Sequence, residues 1–250
     1  MLEETLAEFR HQVLQPHGIV LVTGPTGSGK STTLYTALSA LNKPERKIIT
    51  VEDPVEYRLA RVNQVQVHEQ IGLTFARVLR TALRQDPDVI LVGEMRDTET
   101  IRMAMTAAET GHLVLSTLHT NDSVSTALRL VEMGTEGYVV ASSLRAVLAQ
   151  RLVRRICTSC QKVDPLDAAS KNWLESYQGK MNLPLTMAEY MTGAGCPNCN
   201  NTGYSGRIGI FELLEIDFEL AVFLRLDMAD DPNILIERRC GQRLNILGES

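Results

Sequence analysis

Apolar residues along this chain fall into short runs separated by longer amphipathic stretches. Ile19-Val-Leu-Val22, Lys47-Ile-Ile-Thr-Val51, Val89-Ile-Leu-Val92 and His112-Leu-Val-Leu-Ser-Thr117 read as buried strands. Between them lie helical patterns over 1–17, ending at Pro16-His17, and over Ser31–Leu38, Phe75–Arg84, Thr98–Glu109 and Ser123–Glu132. In Phe75–Arg84, residues Val78, Leu79 and Leu83 share one face. A further helix is predicted over Tyr138–Gln150, after a break at Gly137. Strands parted by helices imply βαβ units and a mostly parallel sheet. From Glu52 to His68 the period shifts toward two. Val62, Gln64 and Gln66, alternating with Val65 and Val67, predict a hairpin inserted in this frame.

From Arg151 the character changes. A polar, helix-prone insert occupies about Lys171–Tyr190, and Arg207–Leu214 reads as a closing strand. The expected division is an α/β core over 1–150, a small cysteine-bearing subdomain over 151–217 and a separate tail over 218–250. The composition, 44% hydrophobic and 22% charged, is that of a globular protein. The net charge of -5 and 5% aromatics argue against nucleic acid as a partner. No apolar run approaches the ~20 residues that span a bilayer. Residues 1–10 lack the basic start and apolar centre of a signal peptide, so a cytoplasmic setting is expected.

The strongest chemical pattern is Gly24-Pro-Thr-Gly-Ser-Gly-Lys-Ser31, a G-x-x-x-x-G-K-S phosphate loop between a strand and a helix. Gly24, Gly27 and Gly29 let the backbone curl so that its N–H groups face an anion. The helix N-terminus adds partial positive charge at the same place. Gly24, Pro25, Thr26, Gly27, Ser28, Gly29, Lys30, Ser31 and Thr32 are the candidate ATP-binding residues. Lys30 would reach the β- and γ-phosphates and the Ser31 hydroxyl would hold Mg²⁺.

Such a loop needs acidic partners. Asp53 and Glu56 follow one strand and Glu94 follows another, at the carboxyl ends where α/β sheets bind ligands. Asp53 and Glu94 are the candidate Mg²⁺ ligands beside Ser31. Glu94 and Glu56 are candidates to activate water, Glu94 directly or through the metal shell. The alternative for each is a solvated loop charge. His112 and His119 bracket a strand and suggest a phosphate sensor. Arg77, Arg80 and Arg84 form a stripe on one helix, either a subunit contact or a solvated face near Asp86 and Asp88.

Cys157-x-x-Cys160 and Cys196-x-x-Cys199 form two knuckles, a pattern suited to a structural Zn²⁺ in a reducing compartment. Unrelated thiols or a redox pair remain the alternatives. Cys240 is left over.

Several of these segments together resemble the secretion ATPase superfamily. Leu83-Arg84 through Pro87-Asp88-Val-Ile-Leu-Val-Gly-Glu94-Met-Arg96-Asp97 looks like its signature. Ile49-Thr-Val-Glu-Asp-Pro-Val-Glu56 is similar to its Asp box, and Thr110-Gly-His112 to Ser116-Thr-Leu-His119-Thr-Asn to its His box. The four cysteines point to the GspE/PilB-like branch for type II secretion and type IV pilus assembly, with the MSHA-pilus subgroup nearest. The resemblance covers about residues 5–217. It implies a RecA-like ATPase with ATP, Mg²⁺ and Zn²⁺. It also implies a hexameric ring at the cytoplasmic face of the inner membrane, docked on the platform proteins of a pilus or secretion system.

Family members of this branch carry N-terminal domains that supply arginines to the nucleotide and anchor to the platform. This chain corresponds to the C-terminal half, and the segment Asp231–Ser250 diverges from the family's closing helices. A truncated or frame-shifted gene, or a fragment, is the expectation. An isolated chain of this kind is expected to be monomeric or weakly associated, to bind ATP and to hydrolyse it slowly. The rival readings are a nucleotide-holding module without turnover and a RecA-like nucleic-acid translocase.

Overall fold

The computed structural model describes residues 1–181, 190–217 and 220–222. Its frame is a seven-stranded sheet that starts from β1 (Gly18–Thr23), every residue of which is buried. β1 pairs in parallel with β5 (Leu113–Leu118) on one side and with β6 (Leu144–Ile156) on the other. On the β5 side follow β4 (Val89–Val92), β2 (Ile48–Glu52) and the edge strand β3 (Val62–Gln66), all parallel. Beyond β6 lies β9 (Tyr204–Glu215), antiparallel to it.

Both faces of the sheet are covered, which is why the strands are apolar throughout rather than alternating. Val20 and Val22 face a layer built by Phe9 and Val13 of α1 (Glu3–Val13) and by Leu34 and Leu38 of α2 (Lys30–Leu41). Ile19 and Leu21 face the other layer. That layer includes α3 (Phe75–Ala82), α4 (Thr98–Glu109), α5 (Ser123–Glu132) and α6 (Gly137–Ser143). The helix starts are capped by residues that compete for backbone N–H groups. Asp97 Oδ1 accepts from Thr100 N at 2.8 Å, and Asp122 Oδ1 accepts from Ser125 N at 2.7 Å.

Two expected elements differ. The segment from Glu52 to His68 is not a hairpin. Its alternation is real: Val67 is buried and Val65 packs beside it, while Gln64 and Gln66 reach the preceding loop. But β3 lies parallel to β2, with Ile48 opposite Val62 and Glu52 opposite Gln66. A parallel pair needs a crossover, and residues 53–61 supply it.

The helix expected over Tyr138–Gln150 stops at Ser143. Leu144–Gln150 enters the sheet as the first half of β6. Val147 and Leu148 are apolar neighbours buried on opposite faces, which a strand between two layers demands. Residues 150 and 151, the expected domain boundary, sit inside this strand. Beyond them β6 and β9 leave the core as a two-stranded arm. It ends in the short pair β7 (Gln161–Val163) and β8 (Met191–Gly193), with α7 (Ala168–Met181) between them. Part of the polar insert (182–189), most of the tail and Cys240 lie outside the described residues.

Leu148 is fully buried against the α1–α2 layer. Leu148→Ala is expected to cost about 2–5 kcal/mol in a urea unfolding titration. A loss below 1 kcal/mol would show that this half of β6 does not carry the core.

Candidate functional site

The strands β1, β2, β4 and β5 end at the same edge of the sheet, and their following turns enclose one cleft of about 740 Å³. The phosphate loop follows β1, at the middle of that edge. Its three glycines have φ of 138° (Gly24), 77° (Gly27) and 90° (Gly29), values that L side chains rarely adopt. At Gly24 space matters too: a Cβ would sit 2.1 Å from the Gln150 carbonyl oxygen. Lys30 opens α2 and donates to the carbonyls of Gly24 at 2.7 Å and Pro25 at 3.1 Å. Burial pulls its ammonium below the usual lysine range, with the Glu94 charge acting against that shift. Thr26, Gly27, Gly29, Lys30, Ser31 and Thr32 line the cleft, whereas Ser28 is buried behind it.

Gln150, on β6, was not singled out by the sequence. It is 4% exposed and bolts the loop from behind. Its Nε2 donates to Ser28 O at 2.6 Å, and its Oε1 accepts from Thr33 Oγ1 at 2.7 Å. The signal was hidden by the helical reading of Tyr138–Gln150. As a strand in register with β1, where Thr23 lies opposite Ala149, the segment brings residue 150 beside Gly24.

Glu94 follows β4 across Gly93. Gly93 N donates to Val51 O at 2.7 Å, and its own carbonyl accepts from Thr117 Oγ1 at 2.7 Å. These bonds hold the turn between the ends of β2 and β5. The Glu94 side chain is 11% exposed and has partners on both oxygens. Oε1 pairs with the Arg96 guanidinium, and Oε2 lies 3.3 Å from His119 Nε2. His119, just past β5, and Glu94 therefore meet in the cleft.

His112 does not join them. It precedes β5, at the opposite end of the sheet. Its Nδ1 lies 2.9 Å from Ala107 O, closing the turn after α4.

Asp53 and Glu56 both line the cleft and are exposed to solvent. Just before them, at the end of β2, sits a carboxylate to which the sequence reading gave no separate role. Glu52 is 4% exposed and accepts from the Tyr35 hydroxyl, from Thr50 Oγ1, and from Gln64 Nε2 at 3.2 Å. Burial, then the bond to Glu52, raises the Tyr35 phenol above its ordinary range. Arg207 of β9 reaches the cleft from the arm. Of the arginine stripe, Arg80 pairs with Glu99 on α4, and Arg77 Nη1 donates to Gly72 O at 3.2 Å.

The four cysteines of the arm converge. Cys157 follows β6, Cys160 precedes β7, Cys196 follows β8 and Cys199 precedes β9. Their sulfurs all lie within 4.8 Å of one another. Three pairs are 3.9, 3.9 and 3.7 Å apart, Cys157–Cys196, Cys160–Cys199 and Cys196–Cys199. A disulfide needs about 2.05 Å. Tetrahedral coordination with metal–sulfur bonds of about 2.3 Å sets sulfur–sulfur edges of about 3.8 Å. The cluster fits a four-thiolate metal site. Burial acts to raise the Cys199 thiol, but N–H groups of Cys196 and Gly203 outweigh it and hold the thiol below its ordinary range. Cys160 is pushed up to about 12 by burial and by its sulfur neighbours.

Fold and site together define a RecA-like P-loop nucleotide-binding core with a tetracysteine arm. The chain belongs to the Type II/IV secretion system protein family, whose model matches residues 1–241. That match runs past residue 217, where the resemblance was expected to stop, into the tail. The chain is 49% identical over 243 residues to "Type II secretion system protein HxcR" of Pseudomonas aeruginosa, covering 97% of this chain and 47% of that one. It is 50% identical over 211 residues to "Type IV pilus assembly ATPase PilB" of Myxococcus xanthus, covering 84% and 37%. It also resembles the crystal structure of the pilus retraction motor PilT with bound ADP. There the TM-score is 0.66 at 33% identity, over 95% of this chain and 57% of that one. The chain thus spans less than half the length of the two relatives.

Elemental analysis is expected to find about one metal ion per chain. The double substitution Cys196→Ser, Cys199→Ser should abolish it. A metal-free chain with two disulfides would refute the site.

Proposed function

We propose that this chain is the ATP-hydrolysing core of a motor that drives type II secretion or type IV pilus assembly, in the latter case of the MSHA kind. The observation that carries this is the convergence of four strand ends on one cleft: the phosphate loop faces the bonded pair Glu94–His119 and the exposed pair Asp53 and Glu56. Catalysis of phosphoryl transfer is mostly positioning and charge neutralisation, and this cleft has parts for both.

Lys30, released from the loop carbonyls, neutralises β- and γ-phosphate charge. Glu56 and Glu94 orient the attacking water. His119, held by Glu94, reports the presence of the γ-phosphate. Ser31, Asp53 and Glu94 are the groups that would hold Mg²⁺, which when bound supplies charge neutralisation across the phosphates. The tetracysteine set is assigned to Zn²⁺, because four thiolates in a closed shell suit it. We assign residues 151–217 to this zinc arm and 1–150 to the ATPase core.

The working form is a homo-oligomeric ring, hexameric by the family resemblance, on the inner-membrane platform of its system. A peripheral place on the cytoplasmic face follows from the same resemblance; no helix among the described residues is long and apolar enough to cross a membrane.

Lys30→Ala should weaken Mg-ATP binding by about 2–4 kcal/mol, read by calorimetry. Equal affinities would remove the nucleotide site from the proposal. Glu94→Gln should still bind ATP but lower single-turnover hydrolysis by ~10²-fold. An unchanged rate would pass the water-orienting role to another residue.

A further inference from the structure

We infer that Gln64 and Tyr35 are positioning residues that set the catalytic placement of Glu56, through a buried network centred on the Glu52 carboxylate. The inference rests on the proposed role of Glu56.

Glu56 lies on the crossover between β2 and β3, a segment with no regular structure of its own. A carboxylate that must meet a water beside the γ-phosphate cannot be left to such a segment unassisted, since a 1 Å misplacement can cost ~10²-fold in rate. The crossover is held by side chains of the strand that follows it. Gln64 Oε1 accepts from Leu59 N at 2.7 Å, and Gln64 Nε2 donates to Tyr57 O at 3.1 Å. Gln66, two residues on and so on the same face, accepts from Val55 N at 3.4 Å. Glu56 is thereby bracketed, with Val55 and Tyr57 both tied to β3.

The same Gln64 amide nitrogen also donates to Glu52 Oε1. Glu52 in turn accepts from the hydroxyl of Tyr35, on the helix that Lys30 begins. The Tyr57 ring meets the Tyr35 ring edge-on, with centroids 4.6 Å apart. A continuous set of contacts therefore runs from the phosphate-loop helix through Glu52 and Gln64 to Tyr57, one neighbour of Glu56, while Gln66 separately holds the other, Val55. A buried carboxylate costs several kcal/mol unless its oxygens are bonded, which keeps this arrangement single-valued.

Gln64→Leu preserves side-chain bulk and removes both the donor and the acceptor. Under single-turnover conditions with protein in excess of ATP, hydrolysis should fall by about tenfold to 10²-fold, while Mg-ATP affinity stays within about twofold. In a Glu56→Gln background the same change should slow hydrolysis by no more than about twofold, because its effect passes through Glu56. Amide exchange at 55–59 should quicken by about tenfold in Gln64→Leu. Should Gln64→Leu fail to fold, Tyr35→Phe is read in the same way, since it keeps the ring contact with Tyr57 and loses only the hydroxyl. Wild-type hydrolysis in these variants, unchanged exchange at 55–59, or losses that multiply with Glu56→Gln would each overturn the inference. Full hydrolysis in Glu56→Gln alone would instead overturn the role of Glu56, with exchange still reporting on the network.

Discussion

Everything at the nucleotide edge depends on β1 being enclosed on all sides. Parallel strands hydrogen-bond it left and right, and a helical layer covers each face. A strand held this way cannot slide or tilt, because any register shift would break two ladders and expose apolar surface together. The loop that leaves it therefore begins from a fixed point. Its left-handed glycines convert that fixed point into a cradle, and the next helix starts at a position already determined.

The acidic and imidazole groups reach the cradle for the same reason. Parallel strands share a polarity, so the turns after β2, β4 and β5 emerge beside the turn after β1. The sheet brings Asp53, Glu56, Glu94 and His119 within one cleft without any of them being near Lys30 in sequence. It also explains why His112, at the amino end of the same strand as His119, lies away from that cleft. Strand polarity separates the two histidines more surely than their spacing joins them.

Much of this was legible in the chain. Runs such as Val89–Val92 and the glycine-rich loop fix element type and ligand class by themselves. The knuckle spacing of the cysteines likewise points to a shared centre, which the sulfur distances bear out. What was hidden was pairing. The alternation of Val62–Val67 marks a strand but does not say whether its neighbour runs with it or against it. Leu144–Gln150 is apolar without a clear period, because a strand buried on both faces has none. Gln150 was not singled out, and Glu52 was given no role of its own, for a related reason. Their partners are distant in sequence, and a buried polar side chain gains its meaning only from what surrounds it.

The unbroken course of β6 has a mechanical consequence. One strand carries Gln150, which grips the phosphate loop, and ends at Ile156, one residue before Cys157 of the tetracysteine cluster. At roughly 3.3 Å per residue the grip and the cluster are about 20 Å apart along a stiff ribbon. That ribbon is braced by β9 and, at Arg154, by a guanidinium stacked 4.0 Å over the Tyr204 ring. Its pairing with β9 is irregular between Arg154 and Ile156. The cysteine cluster and the back of the phosphate loop are thus joined by one run of backbone, and what lies at either end is built on the same strand.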